Sequence, residues 1–176
     1  AFTLDFKFPL QRIISNPAIG FDYMGVFFHE LGHTLAFWLF GYPSIPTFDA
    51  EYGGGFTYTV DRILWLQGIV YLLLASCTAW LFKNDYREYA AIVFGFIIFH
   101  VSIAFNQGHD IFTLYMGHGF EILIGCFCIL RGIIGHSEYG GAERWINMIF
   151  GCFMILRNVA MATLLIFSDI GREIYD

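Results

Sequence analysis

Residues 23–40 read Tyr23-Met24-Gly25-Val26-Phe27-Phe28-His29-Glu30-Leu31-Gly32-His33-Thr34-Leu35-Ala36-Phe37-Trp38-Leu39-Phe40. Most of these side chains suit the interior of a bilayer, yet three ionisable groups stand in the middle. On a helix, His29 and His33 are four residues apart and share one face, where both imidazoles can hold one metal ion. Glu30 stands beside them and can take a proton from a water that such an ion activates. The apolar flanks put that chemistry within a membrane or at its edge.

The rest of the chain has the same character. Of its 176 residues, 57% are hydrophobic and only 14% are charged, and the mean hydropathy is +0.62. A soluble domain carries about a quarter charged residues, so this chain is too poor in charge to cover a water-facing surface. The expected fold class is an all-α polytopic membrane protein, residues 1–176 forming a single membrane domain. A net charge of −6 excludes a nucleic-acid partner, which needs a basic face. Cys77, Cys126, Cys128 and Cys152 lie in apolar segments, lack the paired spacing of a zinc ribbon, and read as small packing residues. The opening residues, Ala1 to Lys7, lack the basic and long apolar regions of a signal peptide.

Working outward, residues 1–16 read as an interfacial lead-in, with Lys7 and Arg12 among apolar neighbours. Asn16-Pro17 is a helix start, Asn as cap and Pro at the first position. The first span covers 17–40 and stops at Gly41, with Pro43 beyond. Pro43, Pro46 and the run Gly53-Gly54-Gly55 then break helices, and Phe56-Thr57-Tyr58-Thr59-Val60 alternates like a strand. A Gly-rich loop or short hairpin on the membrane face is expected. Further spans fall near 63–82, 89–105, 111–131 and 145–168, separated by polar turns at 83–88 and 106–110 and a loop at 136–144. That makes five transmembrane helices, each near the roughly 20 residues that a crossing needs. Lys7, Arg12, Lys83, Arg87, Arg131 and Arg144 fall on one side, against Arg62 and Arg172 on the other. Positive charge gathers on the cytoplasmic side, so the amino terminus is predicted there.

Ionisable groups inside a bilayer face a cavity or one another. Counted along each span at about 1.5 Å per residue, His29, His33, His100, His118, Glu121 and Arg157 all lie roughly 10–20 Å from the same membrane face. Four spans thus place their costly groups in one layer. In Gly117-His118-Gly119-Phe120-Glu121, His118 and Glu121 are three apart on one helix face. With His29 and His33 they supply ligands for a four-coordinate Zn2+ site. His100 and Asp110 are alternative ligands or neighbours of the ligands. Arg157 is placed to pair with Glu121 or to steady developing negative charge.

The motif His29-Glu30-Leu31-Gly32-His33, followed by Thr34-Leu35-Ala36 in a first apolar span, resembles the site-2 protease family of intramembrane zinc metalloproteases. Tyr52-Gly53-Gly54-Gly55-Phe56-Thr57-Tyr58 is similar to the Gly-rich, strand-like segment that follows the motif helix in that family. The resemblance covers roughly residues 21–60. It implies that His29 and His33 bind zinc, that Glu30 is the general base, and that the substrate is a membrane-spanning protein. An extended edge at Gly53, Gly54 and Gly55 would hold that substrate by strand addition. The family's third ligand is an aspartate in an Asn-Pro-Asp-Gly-like motif on a later helix. The nearest string here, Asn106-Gln107-Gly108-His109-Asp110, lacks the proline, so the expected third ligand is His118 or Glu121. The rival reading is a non-proteolytic subunit of a larger membrane complex, its metal site closed and structural. In either case the partners are membrane lipids and other membrane proteins.

Overall fold

A computed structural model describes residues 17–49, 54–135 and 141–167. Helix α1 (Pro17–Leu39) leads into a two-stranded hairpin, β1 (Ser44–Phe48) and β2 (Gly55–Thr59). Four helices follow: α2 (Leu64–Lys83), α3 (Arg87–Ala104), α4 (Gly108–Ile134) and α5 (Gly141–Phe167). These four are 20, 18, 27 and 27 residues long and apolar enough to cross a membrane. Their large apolar side chains point outward; Trp65 and Leu72 are 68% and 67% exposed. An apolar surface of that extent needs an apolar solvent. The protein is therefore a membrane-embedded, predominantly helical chain. Helix α1 has 23 residues but stands outside that set of four, because Asp22, His29, Glu30 and His33 dilute its apolar content.

The hairpin lies where the glycines and prolines place it. Helix α4 begins earlier than the polar run 106–110 suggests. The Asn106 side-chain oxygen accepts the Gly108 N–H at 2.7 Å and acts as a cap, so the helix starts at Gly108. The lead-in at 1–16, Gly53 and His136 fall outside the described residues.

The chain divides into two compact units. The first comprises Ala1–Gly32, Phe48–Gly55 and Gly117–Asp176. In it α4 and α5 meet backbone to backbone. A Cβ added at Gly151 would stand 2.6 Å from the Gly125 carbonyl oxygen, and one at Gly125 would stand 3.1 Å from that of Gly151. Small residues are what allow helices to come this close in lipid. Phe28 packs on Phe150 and Phe120, with ring centroids 6.1 and 6.4 Å apart, and Met154 is fully buried. The last turn of α4 is closed by Gly135 at φ +74° and by the Arg144 Nε, which donates to the Gly132 carbonyl at 3.0 Å.

The second unit comprises His33–Thr47 and Phe56–Met116. Its α2 and α3 pack together. Arg62 donates to the Phe40 carbonyl at 3.1 Å and to the Ala104 carbonyl at 2.8 Å, so one cation serves the carboxyl ends of both α1 and α3. Its Nη2 also reaches the Gln67 side-chain oxygen at 2.6 Å. Gln67 donates to the Tyr71 hydroxyl at 3.2 Å, which in turn donates to His100 Nδ1 at 3.0 Å. The His100 ring stacks on Phe40, with centroids 4.5 Å apart.

The glycine crossing gives a test. Gly151→Ala must push a methyl group into a backbone carbonyl and is expected to cost about 1–3 kcal/mol. Gly95→Ala on α3, where a Cβ meets nothing within 4 Å, is expected to be neutral or slightly stabilising. Thermal unfolding of both variants in detergent checks the contrast.

Candidate metal centre

In the first unit, α1 presents Asp22, Gly25 and His29 at intervals of three and four residues, which is one helix face. Helix α4 presents His118 and Glu121, again three apart, and α5 presents Arg157 and Asn158. A cavity of about 130 Å³ is lined by Val26, His29, Glu30, Gly55, His118, Glu121, Arg157, Asn158 and Met161. It has room for a metal ion and several waters.

Glu121 organises this cavity. Only 1% of its surface is exposed, and a carboxylate buried so deeply requires partners. The Arg157 Nη1 donates to Oε1 at 2.9 Å, and the Asn158 amide nitrogen donates to Oε2 at 2.5 Å. The same amide nitrogen donates to the Met154 carbonyl at 2.9 Å. The amide oxygen of Asn158 is therefore an acceptor, and it receives the His118 Nδ1–H at 2.8 Å. This fixes the tautomer of His118, whose lone pair is on Nε2, the form that binds a metal. His29 Nδ1 lies 3.3 Å from Glu121 Oε1, within ion-pair distance. The His29 and His118 rings stand edge to face with centroids 4.5 Å apart.

One ligand atom from each of His29, His118 and Glu121 falls within 4.8 Å of the others. Two imidazole nitrogens and a carboxylate oxygen fit a divalent ion of the zinc type. Glu30, 7% exposed, lines the same cavity. A Cβ on Gly55 would lie 2.6 Å from Glu30 Cγ and 2.9 Å from Val26 Cγ1. Only glycine lets β2 begin so close to this carboxylate. Of the other glycines singled out from sequence, Gly54 has open space around its Cβ position, and Gly53 is not among the described residues.

His33 belongs to the second unit. Its Nδ1 lies 2.7 Å from the Thr113 carbonyl and donates to it, which leaves the lone pair on Nε2. His100 accepts from Tyr71, as described above. Asp110 is exposed in the first turn of α4, 3.3 Å from His109 Nε2, where a negative charge suits the helix dipole.

Sequence reasoning did not single out Asn158, Asp22 or Gly25. Asn158 had a signal, since it follows Arg157 inside the apolar run Met154-Ile155-Leu156-Arg157-Asn158-Val159. Two adjacent polar residues at that depth each need a buried partner. Asp22 and Gly25 had only their helical spacing from His29.

Replacing Glu121 tests its role as organiser. Glu121→Leu removes the buried partner of Arg157 and the acceptor of Asn158, and is expected to lower stability by about 2–3 kcal/mol. Glu121→Gln, which keeps an acceptor oxygen, is expected to cost less, and thermal unfolding in detergent compares the two.

Comparison with models of known protein families, with curated proteins and with solved structures returns no match.

Proposed function

We propose that the chain is an intramembrane zinc metalloprotease, similar in kind to the site-2 protease family. The observation that carries this reading is the gathering of His29, His118, Glu121 and Glu30 round one cavity. His29, His118 and Glu121 would hold the ion, and the motif residue His33 has the same ligand-ready tautomer. The charge balance supports a divalent cation. Among the described residues, Asp22, Glu30 and Glu121 are three carboxylates beside the guanidinium of Arg157, which leaves two negative charges when the acids are ionised and the histidines are neutral.

A bound zinc ion acidifies water to near neutrality and polarises a carbonyl. The chain's own residues do the rest. Glu30 accepts the proton of the attacking water and returns it to the leaving amine. Asn158 and Arg157 hold the Glu121 carboxylate, and Asn158 also holds His118. The strand that starts at Gly55, against Glu30, offers an extended edge on which an unwound segment of a membrane-spanning substrate can be held. In this reading α1 is a fifth crossing and the amino terminus is cytoplasmic.

One observation favours the non-proteolytic alternative, a structural site in a membrane complex. Both oxygens of Glu121 already have donors in Arg157 and Asn158. Metal content and cleavage of a membrane-spanning peptide separate the two readings. For the protease, wild type binds zinc stoichiometrically and cleaves, and His29→Ala and His118→Ala lose the metal. Glu30→Gln keeps the metal but loses roughly 10²–10⁴-fold in rate. Wild type that holds zinc, cleaves nothing and unfolds on chelation would establish the structural role.

A further inference from the structure

The guanidinium of Arg157 stands between two carboxylates. Its Nη1 is 2.9 Å from Glu121 Oε1 in the cavity, and its Nε is 3.9 Å from Asp22 Oδ1. The two acids differ sharply in setting, for the Glu121 side chain is 2% exposed and that of Asp22 is 59% exposed. Between them lies Gly25. A Cβ there would collide with Nη1 and meet Cζ at 3.1 Å and Cδ at 3.6 Å. The side chain of Arg157 therefore rests on the bare backbone of α1, one turn after Asp22 and one turn before His29. Glu121 Oε1, which holds the guanidinium, also lies 3.3 Å from His29 Nδ1.

A metal ion and this arginine must draw on the same carboxylate. Resting on the metal-centre reading above, we infer that Arg157 is a built-in competitor for the metal, holding Glu121 until a divalent cation enters and then shifting along the Gly25 notch toward Asp22. The physical logic has two sides. Without an ion, a bare buried carboxylate is costly, and Arg157 removes that cost. With an ion, the guanidinium is a like charge a few ångströms away, and Asp22 gives it a wetter partner. The exchange favours a doubly charged ion, because a monovalent one offers Glu121 no more charge than the arginine it displaces. The resident arginine also keeps affinity below what the bare ligand set would give.

The signs of the expected effects separate this role from a merely structural one. Zinc and cobalt(II) affinities are measured on the full chain in detergent by competition with a chromophoric chelator. Arg157→Gln removes the competitor and is expected to tighten binding roughly tenfold or more. Gly25→Ala keeps the arginine but lifts it off the notch, and is expected to tighten binding by a smaller factor. Asp22→Asn removes the alternative partner and weakens binding, and that weakening disappears in the Arg157→Gln background. The inference is overturned if Arg157→Gln, folded with unchanged helical content, binds no more tightly than wild type. It is equally overturned if the effect of Asp22→Asn persists without the arginine. Should Arg157→Gln fail to fold, Gly25→Ala decides, and unchanged or weaker binding refutes the exchange. If wild type binds neither ion, the metal centre itself is refuted, an outcome distinct from wild type binding with the wrong order among the variants.

Discussion

A carboxylate removed from water must recover its hydration from fixed donors, and the first unit is built round that requirement at Glu121. One donor comes from Arg157 and one from Asn158, adjacent residues on α5, while His29 approaches from α1. Each donor carries a further constraint. Asn158 can serve Glu121 and Met154 only with its amide turned so that its oxygen faces His118, and this sets the tautomer of that imidazole. Arg157 reaches Glu121 across Gly25, where the missing side chain leaves it room. A single buried anion thus dictates the orientation of an amide, the protonation of a ring and the absence of a methyl group on three helices.

Glycine serves four different ends in this fold. At Gly25 it makes room for a side chain, at Gly55 for the approach of a strand to Glu30, and at Gly125 and Gly151 for the meeting of two backbones. Gly135 serves conformation instead, at φ +74°, ending α4. Gly68 and Gly95, where an added Cβ meets nothing within 4 Å, show that helical glycine is not by itself a mark of close packing here.

The long apolar runs made the helices legible in the sequence, because lipid demands both length and an unbroken backbone ladder. The hairpin was legible from Pro43, Pro46 and the glycine run, and the early start of α4 was hidden because Asn106 works as a cap through a contact two residues away. For the site, depth counting brought out His29, His118, Glu121 and Arg157, since ionisable groups in an apolar span are conspicuous. It treated His29 and His33 as equivalent. A helical interval of four says that two rings share a face but not which neighbours orient them, and His33 has its own partner in the Thr113 carbonyl. Asn158 and Gly25 stayed unread for a related reason, as a neutral amide and a glycine cost little by themselves and gain meaning only beside Glu121.

The crossing of Gly125 and Gly151 has a mechanical consequence for the chemistry beyond it. Glu121 lies four residues from Gly125, and Asn158 lies seven from Gly151, or about 6 and 10 Å along the helices. With no side chains between them, the two backbones act as a pivot, and the site sits on short lever arms. A rotation of about three degrees there displaces the Glu121–Asn158 pair by roughly 0.5 Å or less, the tolerance within which a functional site must hold its groups. The placing of the carboxylate against its amide partner is thereby tied to where two glycines stand.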